Sequence, residues 1–377
     1  FQVSLFTELA ALKILQACEL QSTSQITNAA GKFLIVAPNT EKVKTAVTQI
    51  QNELNQWFVK NTYGLVGLGL ATKEACCNDF VGDCFKDLMK NLFEQLEETK
   101  LQRLDLTDST SSVQDVTYPY GVCRLNRYFP AEENSDLSKI SQDQIAIGEQ
   151  LVKKSRIIIC DENAEIFNTH KTEALRLPIF GYNIIFNNTE EETGKFNSGD
   201  NYTSDKYQNI EDSDIEIGKI KAFDFIACED RRFNGEKYEG ISALMTLKGD
   251  VDNLGTIFQK GLESPTFAKM AALSRQMNQF FSLWLPTYCQ QHSKNMYTVF
   301  AGGDDFFLIG PWRSTQKVAH EMQKAFKHYV AENPKIHFSV GMVLTKVGIP
   351  VVRLGELAEE ALDKAKNIES GKKNAVN

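Results

Sequence analysis

Two stretches decide the architecture, 241-ISALMTLKGDVDNLG-255 and 300-FAGGDDFFLIGP-311. In the first, Ile241–Leu247 is apolar and β-rich and runs into Lys248-Gly249-Asp250, a strand with a carboxylate at its end. A helix is predicted from Asn253, with Asp252 as its N-cap. In the second, Tyr297–Phe300 and Phe306–Ile309 are short apolar strands joined by Ala301-Gly302-Gly303-Asp304-Asp305, a hairpin signal. Helical periodicity covers Phe267–Cys289 between them, and Thr315–Val330 after them. Strand Ile336–Leu344 and helix Leu354–Ile368 follow. The order β-α-α-β-β-α-β predicts a ferredoxin-like α+β domain, with helices on one face of an antiparallel sheet.

The first part of the chain repeats most of this order. Helix Val3–Cys18 precedes a turn at Ala29-Ala30-Gly31-Lys32 and strand Phe33–Ala37. Helix Val43–Phe58, strand Gly64–Ala71 and helix Asp79–Glu98 follow. Placing Pro38 opposite Pro311 sets Phe33–Ala37 against Phe306–Gly310, and puts Gly31 and Lys32 where Asp304 and Asp305 stand. One half carries the acids and the other lacks them. The first half also lacks an opening strand, so the chain reads as part of something longer. Leu104–Asp115 and Asn187–Ser213 have linker composition. Between these, Ser141–Lys154 is helical in pattern, and Ile157–Ile159 and Tyr182–Phe186 are strand candidates. The expected organisation is a degenerate palm-like domain at 1–105, an inserted small α/β domain at 106–235 and a second such domain at 236–377.

Composition narrows the function. Of 377 residues, 42% are apolar and 24% charged, a globular balance. The net charge of -8 disfavours strong nonspecific nucleic-acid binding, which needs a surplus of Lys and Arg. No apolar run approaches the roughly 20 residues of a membrane span, and no leader is visible. The eight cysteines, at 18, 76, 77, 84, 123, 160, 228 and 289, form no CxxC pair. Their scatter fits a reducing cytoplasm. Cys76, Cys77 and Cys84 read as core thiols, Arg231-Arg232 as solvated surface, and Trp57, Trp284 and Trp312 as core or interface. No Walker A loop, Ser-His-Asp constellation or His-rich metal motif occurs.

The carboxylates carry the chemistry. Phosphoryl transfer asks for positioning and charge neutralisation. Two-metal sites clamp the attacking and leaving oxygens with ions about 3.5–4 Å apart. Mg²⁺ takes a few carboxylates and completes its shell with water and phosphate oxygens. A polymerase-type palm supplies such carboxylates from the end of its first strand and from the hairpin of its second and third. Asp250 ends the first strand here, and Asp304 and Asp305 lie in the hairpin. Gly249, Gly302 and Gly303 lack a Cβ, so a nucleotide could approach the backbone closely. A Gly-Gly-Asp-Asp turn alone is equally an ordinary hairpin. Its pairing with Asp250, together with the degenerate repeat, favours a site.

Ile241–Gly255, Phe300–Pro311 and Phe338–Met342 (FSVGM) resemble the palm of the type III CRISPR–Cas effector large subunit, subtype III-A above all. The resemblance extends over nearly the whole chain, with Phe1–Ala10 and Asn28–Pro38 similar to that family's inactive palm. More distantly the palm resembles GGDEF diguanylate cyclases, whose closing helix is similar to Glu359–Lys366. The resemblance implies two palms with ATP between them, making cyclic oligoadenylates when target RNA activates the complex. It implies Asp250, the Val251 carbonyl, Asp304 and Asp305 as ligands of two Mg²⁺ or Mn²⁺ ions, with Asp305 alternatively helping to deprotonate the 3′-hydroxyl. Lys366 and Lys372 would face the triphosphate. Implied partners are the guide-RNA-containing effector subunits, including the 5′-handle-binding and small subunits. None of the five histidines precedes an Asp, so the family's HD nuclease motif is not expected. The family's twin CxxC positions read Cys123 with Asn126 and Ser141 with Gln144, so no zinc is expected. The alternatives are a non-catalytic scaffold binding RNA and subunits, and a stand-alone cyclic-dinucleotide synthase.

Overall fold

The computed structural model describes residues 1–29, 31–102, 115–153, 156–161, 164–165, 179–187, 202–207, 217–218 and 220–367. Lys372, Lys154 and most of the two linker stretches lie outside them. Contacts divide the chain into two compact units, Phe1–Glu191 with Leu262–Ala271, and Glu192–Gly261 with Ala272–Asn377. Among the described residues no helix is long and apolar enough to cross a membrane.

In the first unit, α1 (Gln2–Ala17) buries Leu5, Phe6, Leu9, Ala10 and Ile14, the spacing of a single helical face. A hairpin of β1 (Gln25–Ala29) and β2 (Lys32–Ile35) follows, with Ala29 opposite Lys32. Next comes α2 (Glu41–Thr62), opened by Thr40, whose Oγ1 accepts from Val43 N–H at 3.4 Å. It closes at Tyr63, where φ is 51°. Its Ile50, Leu54 and Phe58 stand one turn apart and are buried. Phe6, Trp57, Phe58 and Phe180 form an edge-to-face cluster, Trp57 and Phe180 being 4.9 Å apart. After α3 (Gly82–Leu101) and α4 (Lys139–Lys153), β3 (Arg156–Asp161) pairs antiparallel with β4 (Tyr182–Asn187). Ile184 and Phe186 of β4 enter the same core as α1 and α2.

Two expectations need correcting here. The predicted strand Gly64–Ala71 is not a strand. The Gln51 side chain on α2 donates to Leu68 O at 3.0 Å and accepts from Leu70 N–H at 2.6 Å. One amide thus replaces the partner that a strand would need. Cys76, Cys77 and Cys84 are exposed rather than core, because α3 buries Phe85 and Met89 instead.

The second unit holds a four-stranded antiparallel sheet. It begins with α5 (Phe223–Cys228) and the short pair β5 (Arg232–Phe233) and β6 (Tyr238–Glu239), followed by β7 (Leu244–Val251) and α6 (Leu254–Lys260). Helix α7 (Phe267–Gln279), which belongs to this unit from Ala272 on, passes through a π segment, Phe280–Trp284, into α8 (Leu285–His292). Pro286 has no N–H to give to the preceding turn, a common reason for such irregularity. Then come β8 (Tyr297–Gly302), β9 (Asp305–Pro311), α9 (Trp312–Tyr329), β10 (Phe338–Thr345) and α10 (Val351–Asn367). The sheet order is β10-β7-β9-β8, so β7 and β9 are the central neighbours.

Helices cover both faces of this sheet, not one. Leu247, Phe306, Leu308, Phe338 and Val340 pack with Phe280, Phe281, Met322 and Phe326 on one side. Leu244, Phe307 and Ile309 pack with Leu354 and Ala358 of α10 on the other. The unbroken run Phe306-Phe307-Leu308-Ile309 is the pattern of a strand buried on both faces. Arg231 is also internal, donating to the carbonyls of Asp205, Lys206 and Tyr238.

Helix α10 approaches β10 closely at Gly341, where an added Cβ would lie 2.3 Å from Leu362 N and 2.5 Å from Ala358 O. Those are backbone atoms and cannot swing aside. Gly341→Ala is therefore expected to destabilise the second unit by about 1–3 kcal/mol, read as a lower urea midpoint with an unchanged slope.

Candidate functional site

The acids gather where the central strands end. Asp250 on β7 stands directly opposite Asp305 on β9. Gly302 pairs with Asp305, which leaves Gly303-Asp304 as a two-residue turn with φ of +67° at Gly303. Val251 N–H donates to the Asp304 carbonyl at 2.9 Å, fixing the turn against the end of β7. The β1–β2 hairpin pairs Ala29 with Lys32 over the same span, so Gly31 and Lys32 hold the positions of Asp304 and Asp305. Lys32 Nζ lies 5.7 Å over the Phe93 ring.

Side chains alternate across a strand, so Lys248 and Asp250 share the α10 face with Asp305 and Phe307. Two lysines meet the acids there. Lys366 of α10 forms an ion pair with Asp250, and Lys248 forms one with Glu359. Glu359 and Lys366 are seven residues apart, two turns on one side of α10. Burial, then the charges of Asp250 and Asp305, push the Asp304 carboxyl up to about 6. Burial and Asp250 also raise Asp305, while Lys248 opposes the rise. Among the described residues no three His, Cys, Asp or Glu side chains surround one point ready for a metal. The acids share a neighbourhood, and Asp250 is turned to Lys366. That donor set, hard oxygens with surplus negative charge, suits Mg²⁺ arriving with phosphate oxygens rather than a preformed cage.

The glycines divide in purpose. Among the described residues, Gly302 has only Asn278 Oδ1 and Ser282 Cβ within 4 Å of where a Cβ would stand. At Gly249 a Cβ would lie 2.1 Å from the Phe306 ring, so the missing side chain there makes room for a cross-strand aromatic and not for a ligand.

Several participants escaped the sequence reading. Asn278 accepts from Gly303 N–H at 2.8 Å and ties the turn to α7. Asp252 is not the N-cap of α6, which has Asn253 at that position with φ of 56° and no side-chain cap. It is instead buried and bonded to His337 and Ser339. The i,i+7 spacing of Glu359 and Lys366 could have pointed to one face of α10, whereas nothing local marks Asn278 or Ser339.

Away from the acids, Cys123, Asn126 and Ser141 come together. Asn126 Nδ2 donates to Ser138 Oγ at 2.7 Å and Ser141 Oγ at 2.9 Å, and Cys123 Sγ lies 3.4 Å from Ser141 Oγ. Burial raises the Cys123 thiol, but hydrogen bonds from Asn126, Ser138 and Ser141 outweigh it and bring it to about 6. Gln144 is exposed.

A family model of the Cas10/Cmr2 second palm domain matches residues 243–377, and one of Csm1 subunit domain B matches residues 1–116. The Enterococcus italicus protein named CRISPR system single-strand-specific deoxyribonuclease Cas10/Csm1 (subtype III-A) is 25% identical over 96% of this chain and 47% of its own length. The Methanocaldococcus jannaschii protein of the same name is 32% identical over 40% of this chain and 20% of its own. Both models and these relatives mark the chain as similar to the Cas10/Csm1 large subunits of type III CRISPR systems. It spans about half the length of family members it matches end to end, such as that of Mycobacterium tuberculosis, covered to 49%. Among solved folds, Csm1 in T. onnurineus superposes with a TM-score of 0.68 at 19% identity, over 100% of this chain and 48% of that one. A Csm1–Csm4 cassette in complex with cA4 gives 0.69 at 18%, over 100% and 49%.

Two outcomes are expected. In metal-free protein the folded state holds the Asp304 proton more tightly than the unfolded state. Between the ordinary value of 3.8 and about 6 only the folded form keeps that proton, so stability falls as pH rises through this window. Asp304→Asn removes the penalty. Urea unfolding in EDTA should find this variant more stable than wild type by roughly 1–2 kcal/mol at about pH 7, with no difference near pH 3. Secondly, elemental analysis of the purified chain should find no stoichiometric zinc, because one thiol among Asn126, Ser141 and Gln144 is a poor tetrahedral donor set. One zinc per chain would contradict this.

Proposed function

We propose that the chain converts ATP into cyclic oligoadenylate second messengers by two-metal-ion nucleotidyl transfer, within a target-RNA-activated type III CRISPR effector in the cytoplasm. The observation that carries this is the cross-strand placement of Asp250 opposite Asp305, with Asp304 in the turn beside them. Crystallised Csm1–Csm4 cassettes of the same fold in complex with ATP, pppApA and cA4 support the substrate and the product class. In this reading 1–105 is a degenerate palm, 106–235 an insertion and 236–377 the active palm, and Csm4-like, guide-RNA-bearing subunits are its partners.

Asp250, Asp304 and the Val251 carbonyl would hold Mg²⁺ or Mn²⁺. The ions supply charge neutralisation for the attacking 3′-oxygen and the triphosphate. Asp305, raised by burial and by Asp250, completes the ligand set or takes the proton of the 3′-hydroxyl. The open side of Gly302 lets a nucleotide near the turn. With a cation on Asp250, Lys366 would be free to pair with the triphosphate, a role in which Lys372, outside the described residues, is also proposed.

The test is product analysis with ATP and, separately, GTP, on the purified chain and on the effector complex carrying target RNA. ATP should give cyclic oligoadenylates and GTP none. Asp304→Ala with Asp305→Ala should lower product by more than about 100-fold, the upper end of losses seen even for indirect partners of a metal, with circular dichroism unchanged. A double variant that polymerises ATP at the wild-type rate sinks the assignment and leaves the scaffold reading. A cyclic dinucleotide as sole product would favour a stand-alone cyclic-dinucleotide synthase.

A further inference from the structure

Asp252 is an expensive residue for its position. Its side chain is 0% exposed, and a buried carboxylate costs several kcal/mol unless hydrogen bonds and charge offset it. Two side chains of β10 and its approach do so. Ser339 Oγ donates to both carboxylate oxygens, at 2.9 and 2.8 Å, and His337 Nδ1 lies 2.7 Å from Oδ2. Asp252 N–H also donates to the His337 carbonyl at 2.9 Å. None of this serves α6, which starts without a side-chain cap.

What the cluster does hold is the peptide between Asp250 and Asp252. On one side β10 grips Asp252 through backbone and side chain. On the other, Val251 N–H is bonded to the Asp304 carbonyl at 2.9 Å, while the Val251 side chain is sunk in the core at 2% exposure. The N–H and C=O of one strand residue point to the same side, so the Val251 carbonyl is turned toward the acidic turn. We infer that Asp252, with Ser339 and His337, is a positioning group that aims the Val251 carbonyl and the Asp250 carboxylate at one cation beside Asp304. The inference rests on the cation reading of these acids. It adds that their aim is set from β10, on a strand that itself brings no acid to the turn.

The test reads metal binding and needs no turnover. Mn²⁺ is titrated into the full chain with 3′-deoxy-ATP, which has no 3′-hydroxyl to react, and bound ion is followed by electron paramagnetic resonance. Ser339→Ala keeps the Asp252 charge but removes its hydroxyl donor, and Asp252→Asn removes the charge. Both should weaken Mn²⁺ roughly 10- to 100-fold, the range for partners that orient metal ligands. Asp230→Asn supplies a control for mere loss of stability. Asp230 accepts from Arg313 N–H, Ser314 N–H and Ser314 Oγ at the start of α9, so its loss loosens the fold away from the acids. Mn²⁺ binding should survive it. Wild-type Mn²⁺ affinity in folded Ser339→Ala would overturn the positioning role, and so would equal weakening in Asp230→Asn. Should Asp252→Asn not fold, Ser339→Ala decides alone. Asp250→Ala is measured beside them: if it keeps wild-type affinity, the cation site falls and the inference falls with it. If Asp250→Ala loses Mn²⁺ and Ser339→Ala does not, only the inference falls.

Discussion

Asp250 and Asp305 face each other across β7 and β9, and like charges directly opposite on neighbouring strands repel. A sheet that keeps such a pair at its apex must hold its strands by other means. Here the two central strands are clamped by cores on both faces, Phe306 and Leu308 into one and Phe307 and Ile309 into the other. Each fully buried large side chain contributes about 1.5–3 kcal/mol relative to exposure. Four such residues immediately after Asp305 outweigh one repulsive pair in a partly solvated corner.

The repulsion is also moderated locally. The Asp304 carboxyl is pushed up to about 6 by burial and its neighbours, Lys366 pairs with Asp250, and Lys248 lies near Asp305. Both lysine side chains lie on the α10 face of the sheet. Helix α10 therefore does more than cover Leu244 and Ile309. It carries Lys366 to the acids and Glu359 to Lys248, so the charge balance of the apex depends on how that helix is seated. The close approach at Gly341 is what seats it.

The strands and helices of the second unit were legible because their signals are local and periodic. Phe306–Ile309 and Ile336–Leu344 could be little else. Asp304 and Asp305 could be placed at a hairpin because Gly302-Gly303 precedes them, and the register of Gly31 and Lys32 followed from Pro38 and Pro311. What escaped is long-range. Gln51 replacing a strand partner for Leu68 and Leu70 leaves a segment that still alternates like a strand. Gly249 looked like a ligand approach, because nothing nearby says that Phe306 lies across it. Asp252 looked like a cap because Asp before a helix usually is one. Ser339, its actual partner, is supplied by a strand far along the chain. The side of the sheet that α10 takes was readable in principle, from the lack of polar alternation in β9.

These misses share a cause that bears on the site itself. Asn278, Ser339 and His337 are polar residues whose bonds reach the two ends of the Gly249–Asp252 and Gly302–Asp305 segments, from α7 on one side and β10 on the other. Each ties backbone, or a buried carboxylate next to it, rather than the carboxylates of Asp250, Asp304 and Asp305. Acids held by their own hydrogen-bond donors would have lowered carboxyl pKa values and little need of an outside cation. At this apex burial and the charge of Asp250 outweigh the backbone hydrogen bonds of Asp304 and Asp305, and both are raised. Backbone held from α7 and β10, with carboxylates raised by burial and like charge, is the combination that the proposed cation site would need.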